Sequence, residues 1–395
     1  MTSISNDTNC TLLPIQPPEG NKVLKSLAIR LGFCYEELLI FTKHSQVLRR
    51  STQLYDIMRQ VRKMKRKRRL RKSIRRLLCL LVVLLLVGGG GYMYYDHKQQ
   101  QERHETAEVV YKTYADTQTA INEMPVSEYV SQESFEEVRK LANNEIANDY
   151  KYIKQFHNYE DRIDDETITQ INSLPKPEST KFYRLMKLAN QMKDEAQYYY
   201  NFVLLEPQDR IDYTLEYENL DKYLTPVDSL SESLDEVPAL LQWDTRWGFV
   251  PYGDMRISFN ACAPTSLSMV FSYLNQDPTI TPAAIAALSE EQNTYVLGVG
   301  TSHALLEIAA QKYGIQVSGF PVSSDKLAQA LHERKICVLS VRPGDFTQVG
   351  HFIVVYGIEG NQLLIRDPNS KIRTNQKWDI DRVINQTQAI WAYSK

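Results

Sequence analysis

Cys262 stands alone in the stretch NACAPTSLSMVFSYL (Asn260–Leu274), two residues before Pro264. Leu267, Val270, Phe271 and Leu274 follow at i, i+3, i+4 and i+7, the spacing of an amphipathic helix. Proline is tolerated in a first helical turn, because the N–H it lacks has no intrahelical partner there. A thiol at such a start lies beside free backbone N–H groups and the positive end of the helix dipole, which favour thiolate over thiol. That chemistry is nucleophilic attack on a carbonyl. The competing reading is a small buried hydrophobe at a helix start, and this stretch alone leaves both open.

A cysteine nucleophile needs a base to take its proton, a third group to hold that base in one tautomer, and donors for the tetrahedral oxyanion. The last third of the chain offers His303, His332 and His351. His332 falls on the polar side of DKLAQALHERK, as a solvated helix residue, and His303 opens a second amphipathic helix in GTSHALLEIAAQKYG. His351 is the strongest candidate because HFIVVYGIEGNQLLIRDP reads as a strand, a turn at Glu359–Asn361 and a returning strand that ends in Asp367-Pro368. A hairpin centred near Glu359 sets residue 351 opposite or nearly opposite 367, where Cβ atoms lie about 4.5 to 5.5 Å apart. An incidental cross-strand His-Asp pair of small electrostatic value is the alternative.

These residues must be held by a chain of 395 residues, long enough for two or three domains, whose net charge of -2 conceals an asymmetry. Before His97 there are 18 Lys and Arg against 6 Asp and Glu; from His97 onward there are 28 against 42. Residues 1–20 are polar and proline-bearing, helical spacing is plausible over Asn21–Gln60, and Arg62–Arg76 carries eleven basic residues and no acid. Leu77–Tyr95 then runs 19 residues without a charge and ends in aromatics. At about 1.5 Å per helical residue it reaches roughly 28 Å, close to the thickness of a hydrocarbon core. Basic residues on its N-terminal side predict a cytoplasmic N-terminus, with the basic run touching anionic lipid and everything after Asp96 outside. A cleaved signal peptide is disfavoured, since 76 residues precede the segment and no small-x-small cleavage site follows.

From His97 to about Asp235 the chain is polar, acidic and tyrosine-rich, with helix-like stretches at His97–Met124, Ser127–His157 and Ser179–Leu205, and with Ser134 and Glu137 spaced as a capping box. A helical stalk or small bundle is the economical reading, its tyrosines packed between helices. The acidic, serine-rich SLSESLDEV (Ser229–Val237) marks a linker, and Pro238–Lys395 has the size of one compact domain. Five cysteines make no disulfide framework: Cys10, Cys34 and Cys79 lie in the basic part, and Cys337 sits in the apolar KICVLSV as a core residue or, alternatively, a disulfide partner of Cys262. There is no H-E-x-x-H pattern, so neither metal nor cofactor is expected.

The segments ALLQWDTRWGFVPYG, NACAPTSLSMV, GTSHALLEIAAQKYGI and VGHFIVVYGIEGNQLLIRDPNS, in this order, resemble the bacteriocin-processing, double-glycine-peptidase-like family of papain-fold cysteine peptidases, in particular its stand-alone branch common in Gram-positive bacteria. The likeness covers about Pro238–Lys395. It implies Cys262 as nucleophile, His351 as general base and acid, Asp367 as the residue orienting the imidazole, and Gln242 with the N–H of Cys262 as the oxyanion donors. Ala263 departs from the glycine usual after the cysteine, and a positive φ at alanine would cost on the order of 1 kcal/mol. The family's processing members sit on ABC transporters and face the cytoplasm. This chain has no P-loop sequence, so leader processing is not carried over.

The sequence therefore predicts an α+β, papain-like domain over 238–395, its nucleophile-bearing helix packed on an antiparallel sheet, after a cytoplasmic basic region (1–76), one transmembrane helix (77–95) and an extracellular helical stalk with linker (96–237). The expected activity is amide hydrolysis on a peptide or cell-wall substrate, with no nucleic acid partner. The alternatives are an inactive papain-fold binding module and a transglutaminase-like acyl transferase.

Overall fold

The structure is a computed structural model that describes residues 72–157 and 161–395. The expectations for residues 1–60 and for most of the basic run lie outside the described residues.

Helix α1 (Lys72–Glu123) is continuous for 52 residues. The sequence predicts two pieces here, but Gly88–Gly91 do not interrupt the helix. Leu77–Val87 expose much of their aliphatic surface, with Leu84 at 62% and Leu85 at 64%. Fully burying such a leucine in an apolar surrounding gains about 1.5 to 3 kcal/mol. Length and apolarity, with a mean hydropathy of 2.2, make the segment beginning at Leu77 a candidate membrane span. Further along, α1 buries Ala107, Tyr114 and Ile121, which recur every seventh residue.

Helices α2 (Gln132–Ile153), α3 (Asp165–Ser173), α4 (Lys181–Met192), α5 (Ala196–Leu205) and α6 (Pro207–Leu215) complete the helical region. The cap of α2 is Ser131, whose side chain accepts from the N–H of Ser134, rather than a box formed by Ser134 and Glu137. Lys193, at φ 52°, divides the long helix expected over Ser179–Leu205 into α4 and α5. Tyr199, Tyr200, Tyr213 and Tyr217 are buried in a core that also contains Trp243 and Phe249 from beyond the linker. Tyr213 stacks on Phe249 with ring centroids 4.4 Å apart, and Arg256 grips Glu195 through two nitrogens at 2.5 and 2.6 Å. The helical region thus shares its core with the C-terminal part. The segment Ser229–Val237 is likewise packed down: Leu230 is buried and its N–H donates to the carbonyl of Pro278 at 2.8 Å.

The C-terminal part is built on helix α7 (Cys262–Asn275) and a six-stranded antiparallel sheet. Its strands are β1 (Gln316–Phe320), β2 (Ile336–Val341), β3 (His351–Glu359), β4 (Gln362–Arg366), β5 (Lys377–Asp379) and β6 (Thr387–Ser394), in the spatial order β1-β6-β2-β3-β4-β5. Alternate residues point to opposite faces. Val338, Phe352, Val354, Trp391 and Tyr393 meet α7, α8 (Pro282–Glu291) and α9 (Ala304–Lys312) in one core. Leu339, Ile353, Val355 and Ile390 meet α10 (Ser324–His332) in another. Because both faces are covered, β2 is buried along its whole length.

Helix α7 is more deeply enclosed than an amphipathic pattern implies. Leu267, Val270 and Phe271 are buried as expected, but so are Ser266, Ser268, Met269 and Ser272 on the other sides. The small side chains allow close packing all round, and their hydroxyls are satisfied. Ser268 donates to the carbonyl of Ile280 at 2.6 Å and Ser266 to that of Phe352 at 3.4 Å. The last of these ties α7 to the residue next to His351.

Candidate active site

Helix α7 begins at Cys262, two residues earlier than Pro264, so the thiol occupies the first helical position beside N–H groups without intrahelical acceptors. Cys262 is half-buried and its thiol is free. Ala263 is fully buried, and the non-glycine residues with positive φ among those described are Lys193, Gln276, Asn293 and Arg334. The strain expected at Ala263 is therefore absent: a helical φ suits alanine, and no glycine is needed there.

His351 is the first residue of β3 and pairs with Val341 of β2. Asp367 directly follows the last residue of β4. The register differs from the expectation. Val354 faces Arg366, so the ladder continues toward residue 353 opposite 367, and His351 lies one diagonal step away. The two side chains meet nonetheless, with His351 Nε2 2.8 Å from Asp367 Oδ1. This hydrogen bond fixes the ring through Nε2 and leaves Nδ1 free of Asp367, and Cys262 is near enough to bear on the charge of the ring. Burial works against the imidazolium, but the Asp367 carboxylate, with the Cys262 sulfur, outweighs it and pushes the His351 pKa up to about 9. For Asp367 burial again opposes the charge, and His351 and Arg373 hold the carboxyl below the usual range.

Asp367 is fully buried and saturated with donors. Oδ1 also accepts from the N–H of Asn369 at 2.8 Å, and Oδ2 accepts from Arg373 Nε at 2.5 Å. Gln242 is buried beside the same corner. Its backbone N–H donates to the carbonyl of Pro368 at 2.7 Å, and its Nε2 donates to the carbonyl of Ser258 at 2.7 Å, four residues before Cys262. The second N–H of that amide remains for another acceptor.

The other histidines lie outside this cluster. His332 is exposed at the end of α10, and His303 packs edge-on to Trp391 at 4.9 Å and to Phe352 at 5.6 Å. Partial burial lowers the His303 pKa, although the residue as a whole is exposed. Cys337 is a free, fully buried thiol in β2, and burial pushes its pKa up to about 12, as befits core rather than a nucleophile. The residues that sequence reasoning missed are Arg373, six positions after Asp367 in the short helix Lys371–Thr374 that follows β4, and Glu206 and Arg210 from the helical region. Arg373 stood among other charges, and nothing local marked the other two.

The sequence model of the Peptidase_C39 like family matches residues 234–395. Among solved structures, the peptidase domain of Streptococcus ComA, described as a bi-functional ABC transporter involved in a quorum sensing pathway, is similar at 21% identity and a TM-score of 0.29, over 36% of this chain and 97% of that one. A putative C39-like peptidase from Bacillus anthracis is similar at 16% identity and a TM-score of 0.29, over 40% of this chain and 95% of that one. A double glycine motif protease from an AMS/PCAT transporter, solved with its leader peptide, is similar at 18% identity and a TM-score of 0.28, over 42% of this chain and 97% of that one. No curated protein matches the chain. The α+β arrangement of α7 on its antiparallel sheet is the C39 papain-like fold, and residues 234–395 of this chain are similar to the Peptidase_C39 like family.

Proposed function

We propose that this protein is a single-pass, membrane-anchored cysteine peptidase with its catalytic domain outside the cell. The observation that carries the catalytic reading is the buried 2.8 Å contact between His351 Nε2 and Asp367 Oδ1, on a strand tied by Ser266 to the helix that begins with the free thiol of Cys262. His351 takes the proton of the Cys262 thiol, the sulfur attacks the carbonyl carbon of an amide, and electron density moves to the carbonyl oxygen. The N–H of Cys262 and the second amide N–H of Gln242 are the donors assigned to that oxyanion, and His351 protonates the leaving amine. Water, deprotonated by His351, then attacks the thioester, releasing the acid and restoring the thiol. The orientation rests on the basic run Arg62–Arg76 preceding the span, with that run against anionic lipid inside.

Alkylation of the full chain by iodoacetamide near neutral pH, followed at the Cys262 peptide by mass spectrometry, tests the chemistry. Cys262 is expected to react much faster than a free thiol, to slow strongly in His351→Ala and to change little in His332→Ala. Reaction no faster than a free thiol would remove the enzyme reading. Protease added to intact cells should cut the C-terminal domain; full protection would reverse the orientation.

A further inference from the structure

We infer that Glu206 and Arg210, from the helical region, are positioning residues of the peptidase centre that hold the segment 367–373 in the shape that keeps Asp367 on His351. The inference rests on Cys262, His351 and Asp367 being the reacting set. Of the residues that follow Asp367-Pro368, three are bound by this pair. Arg210 Nη2 donates to the carbonyl of Asn369 at 3.0 Å, an oxygen that also receives Trp243 Nε1 at 3.2 Å. Glu206 Oε1 accepts from Ser370 Oγ at 2.8 Å and lies 3.8 Å from Arg373 Nη1. Asn369 and Arg373 in turn each donate to one carboxylate oxygen of Asp367, at 2.8 and 2.5 Å, beside the bond from His351. Charge alternates along the chain of contacts, from Asp367 to Arg373 to Glu206 to Arg210.

The burial of these groups speaks for a specific duty. The Arg210 side chain is 2% exposed and that of Glu206 13%. Arg210 also donates to the carbonyl of Phe202 at 3.2 Å and lies over the Phe202 ring at 4.5 Å. A buried ion pair gains little over a well-packed apolar pair of the same volume, so stability alone does not account for two charges here. Their placement fixes a backbone that is 159 residues away in sequence and carries the orienting carboxylate. In a chain with these contacts, the helical region is part of the catalytic machinery rather than a spacer.

The test uses the full chain in detergent, with Glu206→Gln and Arg210→Met compared with wild type. Each is alkylated with iodoacetamide from about pH 5 to 10, reading the Cys262 peptide, and each is melted thermally. Positioning predicts variants that still melt cooperatively, label Cys262 at least tenfold more slowly at pH 7, and shift the upper limb of the pH profile, which His351 sets, to lower pH. Glu206→Asp should recover part of the rate. If Arg210→Met does not fold, Glu206→Gln and Ser370→Ala carry the comparison. Wild-type rates and an unmoved profile in folded variants overturn the inference while leaving the catalytic reading intact. A wild-type Cys262 no faster than a free thiol instead overturns the catalytic reading, and the positioning role falls with it.

Discussion

His351 and Asp367 share a face of the sheet only because β3 carries a bulge. Near the turn, Glu359 pairs with Gln362, a register that would bring residue 354 opposite 367. The irregularity between Val355 and Gly357 shifts the pairing by one, so that Val354 faces Arg366 and the ladder carries on toward Ile353 opposite 367. Since side chains alternate, this single step moves Asp367 from the face opposite His351 to the same face, two positions along. The 2.8 Å hydrogen bond follows from that shift together with the turn of the chain at Pro368.

The pairing makes stability depend on pH in a definite sense. His351 has its folded pKa raised to about 9 from an ordinary 6.5, so its contribution is fully present below about pH 6.5 and is lost as pH rises through 9. The span of the shift corresponds to on the order of 3 kcal/mol at about 1.4 kcal/mol per unit. Asp367, whose pKa is lowered, contributes above the ordinary carboxylate range and loses that contribution in acid. Thermal melts should therefore decline between pH 6.5 and 9.5 in wild type, and much less in His351→Gln. A wild-type melting temperature that is flat over this interval contradicts the assignment.

What the sequence disclosed was local. The Cys262 helix start and the strand-turn-strand after His351 were readable from periodicity within about 20 residues, and they brought three of the site residues into view. The hairpin count paired His351 with Asp367 in the wrong register, because a bulge leaves no periodic trace when all its neighbours are apolar. The enclosure of α7 was hidden for a related reason: its serines read as a polar face, whereas they are small enough to pack and bond to carbonyls. Glu206 and Arg210 were illegible because their partners, Ser370 and Asn369, stand more than 150 positions away and no spacing rule links them.

Gln242 allows the two halves of the proposed chemistry to be separated. Alkylation of a thiol builds no oxyanion, whereas acylation does. In Gln242→Ala, release of nitrophenol from a p-nitrophenyl ester should slow by about 10²- to 10³-fold, the usual effect of losing one oxyanion donor. The rate of iodoacetamide alkylation at Cys262 should stay within about twofold. Equal losses in both assays would mean that Gln242 acts through its side-chain tie to the carbonyl of Ser258, as part of the scaffold.

Cys337 supplies a built-in report on unfolding. Its thiol is fully buried in β2 and its pKa is pushed up to about 12, so the native protein should leave it unmodified under conditions that saturate Cys262. Labelling at Cys337 should appear only with denaturant, in step with loss of the β2 ladder. Modification of Cys337 in the native protein, at a rate comparable with Cys262, would show that the sheet opens locally.

Gly253 couples the loop before the nucleophile to the hairpin that carries Tyr295. It has φ +65°, and a Cβ there would lie 2.1 to 2.5 Å from carbons of the Tyr295 ring. The Tyr295 hydroxyl bonds to Asp254 and accepts from Asn260 Nδ2 at 2.9 Å, two residues before Cys262. Gly253→Ala thus meets two penalties, a left-handed backbone costing about 1 to 2 kcal/mol and an overlap costing about 1 to 3 kcal/mol unless the ring moves. Denaturant melts of the single and double variants separate them. Tyr295→Ser should remove the overlap but not the backbone term, so adding Gly253→Ala to Tyr295→Ser should destabilise less than adding it to wild type. Equal costs in the two backgrounds would place the whole effect in the backbone. A ring displaced by the alanine should also release Asn260 and alter the Cys262 labelling rate, a change that a purely backbone effect would not produce.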